Sequence, residues 1–271
     1  MSELSESRPI DAIEIEVFNN RVLAIIEEMG AKLVRSSFSP NIKERRDCSV
    51  ALFDAGGRSI GQAAHIPIHL GSLKGGVDAI LRDYPIEDIK PGDAFVCNDA
   101  YLAGGTHLPD ISIITPIFYK GVLKFFAACL GHHSDVGGSV PGSISPTAAS
   151  IFEEGIRIPP VKMVREGVLD DGIMQLIIQN TREPEDRLLD LKVQIATNVL
   201  GAEQIAALIE RCCSMPPDFA VIRKEMVRRG FAEETRPLRE QLWGAQLTKN
   251  NFLPLDVRLF FFVAERHSFL T

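Results

Sequence analysis

Three segments rich in Val, Ile and Phe, at 94–98, 111–119 and 122–130, are separated by turns of Gly, Pro and Asp. β-branched and aromatic residues suit a pleated, half-buried surface, so these runs predict strands of one sheet. A hairpin is expected before them. Residues 48–53 form one arm, 58–63 the other, and Asp54 to Gly57 the turn, where glycine supplies the positive φ of a tight reversal.

Helices are expected before, between and after these segments along the chain. From Asp11, a predicted N-cap, apolar residues recur at Ile15, Phe18, Val22, Ile25, Met29 and Leu33, steps of three and four that mark one helical face ending before Ser39-Pro40. A short helix is expected over 72–84. After about 174 the spacing of Leu188, Leu191, Ile195, Val199 and Ala202, and of Phe219, Ile222 and Met226 beyond Pro216-Pro217, is again helical. The expectation is a mixed α+β chain: an N-terminal helix, a central mixed sheet with glycine-rich site loops, and a helical C-terminal region. Its divisions are 1–173 for the α/β domain, 174–241 for the helical region and 242–271 for an atypical apolar tail. The run at 259–264 in that tail needs a partner, either as a terminal strand or as the mark of a chain cut short or read out of frame.

Charge narrows the function classes. A formal charge of -7 and a pI near 5.5 oppose binding to phosphate backbones, and no Lys/Arg run interleaves with aromatics, so nucleic acid is not an expected partner. The N-terminus lacks the basic-then-apolar pattern of a secretory signal, and no stretch approaches the ~20 apolar residues of a membrane span. A cytoplasmic protein is expected. Its five cysteines (Cys48, Cys97, Cys129, Cys212, Cys213) are odd in number and lack C-x-x-C spacing, which predicts core residues rather than a disulfide framework or a zinc ribbon.

The chemistry is concentrated in the histidines. Five of six (His65, His69, His107, His132, His133) fall between positions 65 and 133. His107 precedes Asp110 by three residues, and His132 and His133 precede Asp135 by three and two. Imidazole with carboxylate is the usual ligand set for Zn, Mn or Fe, with positions left open for water or substrate. Both clusters follow predicted strands, and Gly104, Gly105, Gly131, Gly137 and Gly138 let the backbone turn around a ligand. The competing reading is a set of hydrogen-bonded loop pairs without metal.

Other signals are weaker. In His65-Ile-Pro-Ile-His69 the central proline excludes a regular helix, so the two imidazoles are not expected on one helical face. The run Lys43-Glu44-Arg45-Arg46-Asp47 reads first as a solvated turn, with Glu44 or Asp47 as a possible further ligand or acid/base. Glu153-Glu154 is a carboxylate pair that could raise one pKa for general acid work. No G-x-x-x-x-G-K-[ST] loop, G-x-G-x-x-G fingerprint or G-x-S-x-G elbow is present, so any ATP used by the reaction is expected on another subunit.

The order of these residues resembles the hydantoinase B/oxoprolinase family, which includes the B component of N-methylhydantoinase and the large subunits of acetone and acetophenone carboxylases. The matching text is Ser-Phe-Ser-Pro-Asn-Ile-Lys-Glu-Arg-Arg-Asp at 37–47, Ala-His-Ile-Pro-Ile-His-Leu-Gly-Ser at 64–72, Pro-Gly-Asp at 91–93 and Asn-Asp at 98–99. It continues with Gly-Gly-Thr-His-Leu-Pro-Asp at 104–110, His-His-Ser-Asp-Val-Gly-Gly at 132–138 and Glu-Glu-Gly-Ile-Arg-Ile-Pro-Pro at 153–160. The resemblance runs from about Asp11 to about residue 212. Family members are generally much longer, and the text from about 235 departs from theirs.

The resemblance implies a divalent metal held by His107, Asp110 and His132; the donor set suits Zn, Mn or Fe, Asp135 or His133 is expected to orient a ligand or carry a proton, and Glu44 stays an acid/base candidate from the residues alone. It also implies a hetero-oligomer with a hydantoinase A-like ATPase subunit, through which alone ATP is used, acting on a small cyclic amide such as a hydantoin, lactam or 5-oxoproline. Two alternatives stand beside it: a component of an ATP-dependent ketone carboxylase, and a truncated, non-catalytic assembly subunit.

Overall fold

A computed structural model describes residues 12–63 and 66–212 of the 271. The predicted cap at Asp11, His65, Cys213, the spacing of Phe219, Ile222 and Met226, and the tail at 242–271 lie outside the described residues. Among the described residues no helix is long and apolar enough to cross a membrane.

The first apolar stripe folds as predicted into α1, Ala12–Ser36. Phe18, Val22, Met29 and Leu33 are buried, and Ile26 rather than Ile25 takes the central buried position. Ser37 ends the helix by donating through Oγ and N–H to the Leu33 carbonyl. One turn of helix follows, α2, Pro40–Lys43, with proline at its start, where the missing N–H leaves no helical bond unmade.

The predicted hairpin is β1, Cys48–Asp54, with β2, Ser59–Gln62. Asp54 Oδ1 accepts from the Gly56 and Arg58 amides, and Gly57 takes φ 75° in the turn. The three predicted strands are β3, Ala94–Cys97, β4, Asp110–Tyr119, and β5, Val122–His132. A second hairpin, β6, Val161–Arg165, and β7, Val168–Leu169, was not foreseen; its two-residue turn has Glu166 and Gly167 both at positive φ. Together they make one seven-stranded sheet in the order β2-β1-β5-β4-β3-β6-β7. The chain is mixed α and β as expected, but every pairing in the sheet is antiparallel.

Helices cover both faces. On one lies α3, Pro67–Asp83, over a core that includes Phe53, Leu73, Val77, Ile80, Phe95, Ile114 and Phe126. This helix begins at Pro67, earlier than the sequence spacing suggests, because proline is excluded from a helix interior but not from its first turn; His69 is therefore helical. On the other face α1 packs with α5, Pro184–Cys212, which runs across β4 and β5. In chain order α4, Asp171–Ile178, precedes α5, and its Asp170 cap accepts from the Ile173 amide.

The buried face of α5 matches the predicted one only in part: Leu191 is fully buried, and Leu188, Ile195 and Ala202 are half-buried. Val199 is 43% exposed, while Arg187, Asp190, Gln194, Thr197 and Asn198 are fully buried. Apolar spacing missed this face because several of its buried residues are polar: Gln194 and Asn198 donate to strand carbonyls, and Asp190 accepts from the amides before α2.

Phe53 and Phe126 are directly paired across β1 and β5 and are both fully buried beneath α3. Phe126→Ala is expected to lower stability by about 3–5 kcal/mol, the usual cost of deleting a buried ring and leaving a cavity. Urea unfolding measures it, and a loss below about 1 kcal/mol would show that the core collapses around the gap.

Candidate metal centre

The strand ladder itself brings two of the predicted ligands together. Asp110, the first residue of β4, is the direct cross-strand partner of His132, the last of β5, so both side chains leave the same face at the same edge. His107 comes from the loop just before β4 and turns back, placing Nε2 3.0 Å from Asp110 Oδ1. The His107 and His132 rings meet edge to face with centroids 4.9 Å apart. One ligand atom from each of His107, Asp110 and His132 lies within 4.8 Å of the others.

The surrounding bonds hold this arrangement. Thr106 Oγ1 donates to Asp110 Oδ2 at 2.5 Å. Asn41 of α2 lies 3.0 Å from His132 Nδ1, which turns Nε2 of that ring toward the cluster. The His132 amide donates to the Asp47 carbonyl and the His133 amide to the Pro109 carbonyl, so backbone bonds tie the loops to one another. Asn98, just beyond β3, donates to the Leu108 and Ile156 carbonyls.

Two residues that sequence reasoning ranked low also arrive here. His69 Nε2 is 3.5 Å from Asp47 Oδ1 and 3.8 Å from Asp110 Oδ2. Its other nitrogen, Nδ1, meets Ser49 Oγ at 3.1 Å. That hydroxyl also lies 3.3 Å from the Ile66 carbonyl, and its contact with Nδ1 leaves Nε2 as the nitrogen facing the carboxylates. The available signal was the 64–72 and 37–47 motifs that contain them.

Burial and charge work against each other in this cluster. Burial favours a neutral Asp110, but contact with His107, followed by the nearby His69 and His132, overrides it and lowers the carboxyl to about 2. For His107, burial again opposes charge, and Asp110, with Glu154 and Asp47 behind it, raises the imidazole above its ordinary value. His69 and His132 go the other way, because burial outweighs the pull of Asp110.

The remaining predicted residues are placed elsewhere. His133 follows His132 directly, so it points to the opposite face of the sheet, where Nε2 meets Gln194 Oε1 at 2.9 Å. Burial and then the Arg187 charge lower it to about 4. Asp135 organises its own loop: Oδ1 accepts from the Gly137 and Arg182 amides, and Oδ2 from the Gly142 amide and Arg182 Nη1. Glu44 is exposed at the C-cap of α2. None of these three belongs to the group of converging ligand atoms. Glu153 and Glu154 are half-buried, and Cys48, Cys97 and Cys129 are free and buried.

The trio suits a divalent cation. Asp110 Oδ1 is buried and accepts no hydrogen bond, so the 3.0 Å approach of His107 Nε2 is a charge contact without hydrogen-bond alignment. A buried carboxylate oxygen lacking a donor is costly unless a positive centre faces it. Two imidazole nitrogens and one such oxygen are donors that a borderline ion accepts at ~2.1 Å, which small ring movements would provide.

The chain is similar to several known proteins. A family model described as Hydantoinase B/oxoprolinase matches residues 11–214. The chain is 43% identical over 213 residues to 5-oxoprolinase 1 of Arabidopsis thaliana, covering 74% of this chain and 17% of that protein. It is 34% identical to the beta subunit of the Pseudomonas jessenii caprolactamase, over 74% of this chain and 34% of that one. The crystal structure of the ATP-dependent caprolactamase from Pseudomonas jessenii superposes with a TM-score of 0.73 at 33% identity, over 80% of this chain and 37% of that one. A nucleotide-free acetone carboxylase structure shares the fold with a TM-score of 0.71 at 21% identity, over 74% of this chain and 26% of that one. The chain thus spans well under half the length of each of these.

The electrostatics set a pH window for the metal-free chain. Asp110 is depressed in the folded state, so its contribution is present above the ordinary carboxyl value near 3.8 and is lost as pH falls through about 2. His107 is raised, so its contribution is complete below the ordinary imidazole value of 6.5 and fades as pH rises past its elevated one. Urea unfolding in a chelator is expected to show stability dropping on the acid side between these carboxyl values. Asp110→Asn should remove about 2 kcal/mol of that drop; an unchanged acid limb would mean that the carboxyl is not depressed.

Proposed function

The chain belongs to the hydantoinase B/oxoprolinase family, and on that premise we propose that it forms the metal-centred part of an ATP-dependent enzyme that opens small cyclic amides. The observation that carries this reading is the convergence of His107, Asp110 and His132 at one sheet edge around a carboxylate oxygen without a donor. A purely structural or assembly role gives no reason to converge two imidazoles on one buried carboxylate.

In this reading His107 and His132 through Nε2, and Asp110 through Oδ1, hold Zn, Mn or Fe. The ion, when bound, supplies Lewis acidity toward a carbonyl oxygen or a water molecule. Asn41 fixes the His132 ring, Thr106 keeps Asp110 Oδ2 occupied so that Oδ1 faces inward, and the half-exposed His107 opens the site to substrate. His69 and Asp47 lie 3.5 Å apart next to Asp110's cluster and are placed to hold or pass a proton between Nε2 and Oδ1. Asp135, His133 and Glu44 are better understood as loop anchor, strand anchor and surface residue.

ATP enters through a hydantoinase A-like partner in the cytoplasm, giving a hetero-oligomer. The relative bearing the name ATP-dependent caprolactamase, one of whose chains is called its beta subunit, supports that arrangement. The acetone carboxylase likeness concerns the fold alone and does not favour ketone carboxylation for this chain.

Elemental analysis of the purified chain beside His107→Ala tests the reading. The native chain is expected to carry about one transition-metal ion per chain and the variant to lose it, because two ligands hold an ion far less tightly than three. Absence of metal from both, even after incubation with Zn and Mn, would remove the basis of the proposal. Added to the ATPase partner, the loaded chain should open a lactam or 5-oxoproline ring, with no bicarbonate requirement.

A further inference from the structure

The polar face of α5 is the feature that the proposed chemistry leaves unused. A helix packed on a sheet is most simply stabilised by apolar side chains, yet here Asp190, Gln194 and Asn198, four residues apart and so on one face, are all fully buried. Each is engaged with backbone below it. Asp190 accepts from the Phe38 and Ser39 amides at the entrance to α2. Gln194 Nε2 donates to the Ile111 carbonyl at 2.9 Å, and its Oε1 meets His133 Nε2 at 2.9 Å. Asn198 Nδ2 donates to the Ile113 and Ala127 carbonyls.

The two Gln194 contacts fall on the neighbours of two ligands. Ile111 follows Asp110 in β4, and His133 follows His132 at the end of β5. The amide has no alternative orientation here, since the Ile111 carbonyl only accepts and must face the NH2. Oε1 therefore faces His133, which must carry its proton on Nε2, in keeping with an Nδ1 that has no partner. One rigid amide thus spans the two strand ends from the face opposite the site. Asn198 makes the same kind of clamp further along the strands, away from the ligands.

We propose that Gln194 is a positioning residue for the metal centre, its amide setting the separation of the strand ends that present Asp110 and His132. The inference rests on the reading that these residues hold an ion, and it states how they are held in place. Removing the clamp lets the β4 and β5 ends shift, and ligand atoms displaced by a fraction of an ångström bind an ion less tightly.

The test compares Gln194→Met with Asn198→Met in the full chain. Three quantities are measured: the Co(II) dissociation constant with its visible absorption spectrum, the urea midpoint, and the nuclear Overhauser contact between the His107 and His132 rings in the metal-free chain. That ring contact is within reach at 4.9 Å and needs no ion. Gln194→Met is expected to weaken Co(II) binding by tenfold or more, alter the spectrum and lose the ring contact. Asn198→Met is expected to lower the urea midpoint while keeping all three site readouts. Gln194→Asn, one methylene shorter and unable to span both partners, replaces the Met variant if that variant does not fold.

Wild-type affinity, spectrum and ring contact in the Gln194 variants would overturn the proposal. So would equal loss of the site readouts in Asn198→Met, because the effect would then follow stability alone. If the wild-type chain takes up no Co(II), the metal reading itself fails. The ring contact then decides: its loss in the Gln194 variant and survival in Asn198→Met supports positioning, and any other pattern overturns it.

Discussion

The register between β4 and β5 sets Asp110 opposite His132, and the rest of the site depends on that pairing. Side chains alternate along a strand, so a slip of one residue would exchange His132 for His133 and turn the first imidazole to the wrong face. The ladder runs through ten consecutive partners from Asp110↔His132 to Tyr119↔Val122, with a single irregularity near the turn, far from the ligands. The apolar residues beneath α3 hold that register because a slip would also bring Ile114, Phe126 and Ala128 out of the core.

With that pairing in place, the loops have little freedom. His107 must reach back over Leu108 and Pro109, and the Leu108 and Pro109 carbonyls are taken by Asn98 and the His133 amide. The loop that follows His132 is held by Asp135, whose two oxygens accept four donors, with Gly137 and Gly138 at φ 88° and 84°. A Cβ at either glycine would come within 2.5 Å of backbone oxygen from Asn180 or Glu153. The glycines are thus required by close packing of the loop as well as by its turn.

The cost of the arrangement is met on the opposite face. Burying Asp190, Gln194 and Asn198 takes polar groups out of water, and each recovers hydrogen bonds from strand or loop backbone. The fully buried Arg187 guanidinium lies 3.5 Å from Asp190 and helps keep His133 neutral. This polar layer binds helix to strand at defined points, whereas an apolar layer would permit sliding.

Much of the fold was legible as local pattern. The strands at 94–98, 111–119 and 122–130, the hairpin at 48–63 and the long first helix follow from side-chain shape, turn residues and helical spacing, all properties of neighbours in the chain. The convergence of His107, Asp110 and His132 was implied by the family resemblance of their motifs, whereas residue types alone left His133 and Asp135 as equal candidates. His69 and Asp47 were underrated, because the approach of His69 to Asp110 and of Asp47 to His69 comes from α3 and the β1 entrance folding onto the same edge. His133 and Asp135 looked equivalent to the ligands in sequence, and only strand alternation and the Arg182 contact separated them. The sequence by itself determined which segments become strands and helices and which residues have ligand chemistry. Only the tertiary structure decided the antiparallel order, the polar face of α5 and the set of side chains that meet, because those depend on contacts between residues far apart in the chain.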